Sequence, residues 1–196
     1  REIYMLPGAR HIVHAQGMVL AHADKQVLAR AIRQVDVVHF IMPFSLSVAG
    51  LKIAEELNVP HTAAFHVQPE NITYTLHMGR SQAVNKGLYY FFRERFYNRF
   101  THIHCPSEFI ASQLRENGYT SRLHVISNGV DSDFIYRKKE KTPQLQGKFV
   151  ILMIGRLSNE KRQDVLIEAI NRSAYREQIQ LILAGQGPNY KALEKL

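Results

Sequence analysis

KFVILMIGRLSNEKRQDVLIEA, residues 148–169, changes character twice. An apolar run from Phe149 to Ile154 stops at Gly155, a polar turn then carries Arg156 and Lys161, and Val165, Leu166, Ala169 and Ile170 repeat at the spacing of one helix face. A buried parallel strand handing over to its crossover helix has this form. Strand, basic loop and helix are therefore predicted, with Glu160 near the helix start. A helix N-terminus presents unpaired N–H groups and the positive end of a dipole. Arg156 and Lys161 add two full charges beside it, so the first functional expectation is an anionic ligand, a phosphate or diphosphate.

Upstream, the same alternation recurs. Residues 35–41 and 59–65 read as strands and 24–34 and 45–57 as helices, with Asp24 as one N-cap and Ser45 or Ser47 as the next. Residues 2–7 read as a strand that begins without lead-in, and 11–14 as a weaker strand piece. The polar segment 66–79 breaks the rhythm directly after a strand, where parallel α/β sheets bind ligands. Residues 81–100 read as one long helix crowded with Tyr89, Tyr90, Phe91, Phe92, Phe96, Tyr97 and Phe100 and interleaved with Lys86, Arg93, Arg95 and Arg99. An interfacial membrane helix is one reading; a core helix with its charges in water is the favoured one. Residues 101–106 form a further strand candidate, Ser107 caps a helix that stops at Gly118, and 123–126 closes the series.

The charged run 136–141, followed by Thr142-Pro143 and Gly147, is the best boundary. Residues 1–135 are thus expected to form an α/β, Rossmann-like domain on a parallel sheet, 136–147 a linker, and 148–196 the start of a second such domain, with 179–184 as its second strand. One β-α-β-α unit is too small to bury its own faces. The second domain is expected to be cut short.

A formal charge of +8 and an isoelectric point near 9.7 favour acidic partners: nucleic acid, anionic lipid headgroups or phosphorylated small molecules. Cys105 is the one cysteine, which excludes an internal disulfide and fits a reducing compartment. No apolar run reaches the length of a membrane span and no signal pattern opens the sequence. A cytoplasmic location is the expectation, with peripheral attachment to the inner face of a membrane as a further reading and an anionic membrane surface as a further candidate partner.

Four ordered features then carry a resemblance. Gly155-Arg156-Leu157-Ser158-Asn159-Glu160-Lys161-Arg162-Gln163-Asp164, followed by Ala184-Gly185-Gln186-Gly187-Pro188, resembles the donor-domain signature of the group 1, or family 4, glycosyltransferases, which have the two Rossmann-like domains of the GT-B architecture. Ser127-Asn128-Gly129-Val130-Asp131 resembles the hand-over from their acceptor domain to their donor domain. Phe65-His66 resembles the strand end that places a histidine over the sugar.

The resemblance implies a retaining glycosyltransferase that moves a sugar from a nucleotide-diphosphate sugar to an acceptor hydroxyl, in glycan or glycolipid synthesis. The donor is a substrate, and no cofactor or metal is implied. Gly155, Arg156 and Lys161 match the donor-diphosphate positions, and His66 the catalytic histidine. Gly185 and Gly187 are candidates for lining the nucleotide site, although Gly-x-Gly is common in turns. A carbohydrate or lipid-linked acceptor is implied by analogy. The family's first strand and glycine-rich loop, and its later glutamate pair, have no counterpart in this sequence, so it reads as an internal fragment that is inactive alone. Asp131-Ser132-Asp133 is assigned a structural role rather than a metal site. His102 and His104 lie on one strand face and Cys105 on the other, which keeps them from converging on a metal. A nucleotide-sugar isomerase of the same architecture and a basic nucleic-acid or membrane binder remain as alternatives. Nucleic acid is disfavoured because the basic residues are dispersed and carry no recognised motif.

Overall fold

The computed structural model describes residues 3, 10, 13, 14, 19–75 and 81–196. Residues 19–129 fall in one compact unit and Val130–Leu196 in another. The first holds strands β1 (Val38–Phe40), β2 (His61–Ala64), β3 (His102–Cys105) and β4 (Arg122–Val125), paired in parallel in the order β1-β2-β3-β4. Helix α1 (Lys25–Ile32) precedes β1. The crossovers are α2 (Ser45–Glu56), then α3 (Pro69–Thr75) with α4 (Gln82–Arg95), then α5 (Glu108–Glu116). Parallel crossovers are right-handed. Because each new strand adds to the same edge, all of these helices lie over one face of the sheet.

That face is the core. Leu51, Ile53 and Ala54 of α2, Tyr89 and Phe92 of α4, and Ile110, Ala111 and Leu114 of α5 cluster with Phe40, Ala63, Ile103 and Cys105 from the strands. Fully burying one of the larger side chains is worth about 1.5–3 kcal/mol. Alternate strand residues point the other way, so His39, Thr62, His102, His104 and His124 share the opposite face. There they are half-buried or exposed.

Several local signals act as expected. Asp24 accepts hydrogen bonds from the backbone N–H groups of Gln26 and Val27 at 3.0 and 3.1 Å. Ser107 caps α5 through the N–H of Ile110, and Gly118 ends that region at φ +75°. Other expectations need correcting. Helix α2 starts from Phe44 with no side-chain cap, held instead by burial of Gly50, Leu51, Ile53 and Ala54. Segment 66–79 is not wholly loop, since α3 occupies Pro69–Thr75. Its Thr73 hydroxyl is buried against Asn85, donating to Oδ1 at 2.7 Å.

The long helix predicted over 81–100 breaks at Phe96 (φ −139°, ψ −62°) into a 3₁₀ turn, Tyr97–Arg99. The break lets Phe96, Tyr97 and Phe100 all reach the core. Tyr90 and Phe91 stay outside, under Arg93 and Arg95, whose guanidinium carbons stand 5.2 and 5.8 Å from the ring centres. Of the strands expected at 2–7 and 11–14, only Ile3, Val13 and His14 are among the described residues; Val13 and His14 are helical.

In the second unit β5 (Phe149–Ile154) pairs in parallel with β6 (Ile179–Ala184) along its whole length. Helix α6 (Gln163–Asn171) connects them and α7 (Tyr190–Leu193) follows. Phe149, Leu152 and Ile154 remain 56–75% exposed, as expected where two strands and one crossover supply too little surface to cover both faces.

Candidate functional site

In the first unit the β2 strand end is anchored from inside. Phe65 is buried between Tyr89, with ring planes 5° apart, and Tyr97, and its N–H bonds to the His104 carbonyl at 2.9 Å. The Tyr97 hydroxyl donates to the Ala64 carbonyl. This leaves the next residue, His66, exposed at the strand's C-terminal end. Its ring lies 5.5 Å from that of His104, and His104 Nε2 is 2.7 Å from the Ile126 carbonyl, so that nitrogen carries the proton. His39 Nδ1 meets the Thr62 hydroxyl at 2.7 Å, and His102 Nδ1 meets His124 Nε2 at 2.9 Å.

Desolvation, then the proximity of His104, lowers the pKa of both His39 and His66; for His66, His39 adds to the effect. His66 is thereby biased toward the neutral imidazole, which can both accept and donate a hydrogen bond. The same shifts make a stability prediction. In the unfolded chain these groups take up protons near the ordinary value of 6.5, while the folded protein takes them up only at lower pH. Stability is then complete above that value and is lost as pH falls below it. Urea midpoints at pH 7.5 and 5.5 should differ in that direction, and His104→Gln should narrow the gap. Equal midpoints would show that the imidazole face has no such coupling.

The second unit builds a different surface. Gly155 follows β5 at φ +156°, with open space where a Cβ would stand. The loop then packs backbone to backbone on the end of β6 and the loop after it: Gly155 N–H to the carbonyl of Ala184, the last residue of β6 (3.0 Å), Leu157 N–H to that of Gln186 (2.9 Å) and Asn189 N–H to that of Leu157 (3.0 Å). Asn189 Nδ2 also donates to Asn159 Oδ1 at 2.7 Å. A Cβ on Gly185 would fall 1.9 Å from the Gly155 oxygen, and one on Gly187 2.2 Å from that of Leu157. Close loop contact thus accounts for both glycines.

Arg156 and Lys161 sit exposed on this loop, and the helix begins just beyond Glu160. Asn159–Lys161 is a 3₁₀ turn, Arg162 is left-handed (φ 53°, ψ 41°), and α6 starts at Gln163. The Arg162 side chain pairs with Asp164 at 3.2 Å, which holds that carboxyl below its ordinary pKa. Sequence reasoning missed Gln163. It is 2% exposed, and its Nε2 donates to the Arg156 carbonyl at 2.8 Å. The signal was available: Gln163 precedes Leu166 and Ile170 at helical spacing, so it is a polar residue on a core-facing stripe. Its Oε1 and the hydroxyl of Ser158 are buried with no partner in the structure, each at a cost of about 1–3 kcal/mol.

Asp131 accepts from the N–H of Asp133 at 3.0 Å, a local turn bond. Cys105 is buried on the core face, opposite His102 and His104. Among the described residues no group of three His, Cys, Asp or Glu side chains could hold a metal ion. Among them, too, no helix is long and apolar enough to cross a membrane.

A parallel α/β unit with a histidine at a strand end, and a second unit with a basic turn after its first strand, define the class. The chain belongs to the family 4 glycosyltransferases: the family model Glycosyltransferase Family 4 matches residues 7–134, and Glycosyl transferases group 1 matches 135–196. It is 25% identical over 173 residues to an alpha-monoglucosyldiacylglycerol synthase of Streptococcus pneumoniae, covering 83% of this chain and 39% of the relative. It is 24% identical over 167 residues to a GDP-mannose-dependent alpha-mannosyltransferase of Corynebacterium glutamicum, covering 82% and 38%. The chain thus spans about two fifths of the length of these relatives. The fold is also that of the Anabaena protein HepE, solved with UDP and glucose, at a TM-score of 0.59 and 16% identity over 87% of this chain and 46% of that one.

Proposed function

We propose that the protein transfers a sugar from a nucleotide-diphosphate donor to an acceptor hydroxyl with retention of configuration. The observation that carries this reading is the turn after β5, where Gly155 leaves open space and Arg156 and Lys161 follow on a loop braced by its neighbour. Fixed cations there stabilise the charge that grows on a departing diphosphate. His66, biased toward its neutral form, orients the transferred sugar. The bond from the anomeric carbon to the diphosphate breaks as the bond to the acceptor oxygen forms on the same face. The acceptor proton passes to the departing phosphate oxygen.

Both curated relatives are named for alpha products, which agrees with retention from an alpha-linked nucleotide sugar. The Streptococcus relative is named for a glucosyl diacylglycerol, which favours a lipid-linked acceptor over a soluble carbohydrate. An acceptor of that kind would place the protein at an anionic, cytoplasmic membrane surface, in glycolipid or polysaccharide synthesis.

The test is a screen of UDP-, GDP- and ADP-sugars against the full-length protein, with diacylglycerol and oligosaccharide acceptors. Acceptor-dependent release of a nucleoside diphosphate is expected. A donor rearranged without any acceptor would mark an isomerase instead, and no turnover with any pair would remove the transferase reading.

A further inference from the structure

Gln163 is a poor choice for the fold alone. It opens α6 on the stripe shared with Leu166 and Ile170, is 2% exposed, and leaves its Oε1 without a partner. An apolar side chain of the same length would avoid that orphaned acceptor. What only the amide supplies is the 2.8 Å bond from Nε2 to the carbonyl of Arg156. The bond spans the turn that bears both cations. Within the turn, Leu157 is held from the β6 side by the Gln186 carbonyl, and the Lys161 N–H bonds to the Ser158 carbonyl at 3.0 Å. The peptide that follows Arg156 is therefore fixed at its N–H by the neighbouring loop and at its carbonyl by Gln163.

We infer that Gln163 is a positioning residue: by fixing the Arg156 carbonyl it sets the direction in which the Arg156 guanidinium leaves the turn. The inference rests on the reading of Arg156 and Lys161 as diphosphate ligands. A long cationic side chain that leaves an unpinned backbone must be ordered on binding, and preorganisation removes that cost. Gln163 touches no ligand itself.

The experiment titrates the full-length protein and its Gln163→Met variant with UDP and GDP, and with uridine and guanosine, by calorimetry, alongside thermal melts. Affinity for the nucleoside diphosphate should fall about tenfold, nucleoside affinity should hold, and the melting midpoint should not drop. Gln163→Leu, of different shape, is read the same way, so the outcome does not hang on one variant folding. Unchanged diphosphate affinity, or a parallel loss for the nucleoside, overturns the positioning role. Lys161→Ala separates the two claims. If it weakens diphosphate binding while Gln163→Met is silent, only the positioning role fails; if Lys161→Ala is itself silent, the diphosphate reading falls and this inference with it.

Discussion

Lys161→Ala should lower donor turnover by about 100-fold or more under the proposed function, as should Arg156→Ala, each removing a charge proposed to face the developing diphosphate. The loss should sit mainly in kcat, because the interaction strengthens as the glycosidic bond breaks and negative charge collects on the leaving group. The double variant should lose less than the product of the singles, since the two cations serve one charge. Arg162→Ala is the internal control. Its side chain is adjacent in sequence but engaged with Asp164 at 3.2 Å, so turnover should stay within a few-fold of the parent. Equal losses in Arg162→Ala and Lys161→Ala would mean that bulk positive charge, and not the turn, carries the effect.

The second large effect is structural. In Gly185→Ala the new methyl would stand 1.9 Å from the Gly155 carbonyl oxygen at a backbone φ of +155°. Backbone cannot swing aside as a flexible side chain does, so steric overlap and left-handed strain both apply. Together they should cost roughly 3 kcal/mol or more and should part the two loops. Gly155→Ala has nearly the same φ, +156°, but open space around the added atom. It should pay the strain alone, about 1–3 kcal/mol. Denaturant unfolding of the two variants measures the difference. If Gly155→Ala is as damaging as Gly185→Ala, the loop contact is not what holds Gly185.

Much of the architecture was legible because its causes are local. The apolar run ending at Gly155, the Asp24 and Ser107 caps and the stop at Gly118 each act within a few residues. So did the strand–helix rhythm that called for a parallel sheet, and the motif that identified the family. What escaped depends on contacts distant in sequence. The helix break at Phe96 exists because Phe96, Tyr97 and Phe100 must all meet a core that includes Phe40 and Phe65. Helix α3 hides in a polar sequence because Thr73 finds Asn85.

At the candidate site, composition announced the cations but not their support. In the sequence Gln163 is one more polar residue between Arg162 and Asp164. Only its burial and its bond to Arg156 separate it from Arg162 and Asp164. Likewise, the sequence offers Gly185 and Gly187 as nucleotide-site candidates, but only the structure shows that each also faces a backbone oxygen, of Gly155 and of Leu157, too closely for a Cβ.

The loops after β5 and β6 share two backbone hydrogen bonds and the Asn159–Asn189 amide contact, so they form a single tile assembled from two distant stretches of chain. Drift in one stretch is not free. Lengthening the β6 loop by a residue would shift the surface against which Leu157 rests, and with it the base from which Arg156 projects. Related sequences should therefore vary at positions 159 and 189 as a pair, and should keep the lengths of the two loops in step even where their side chains differ.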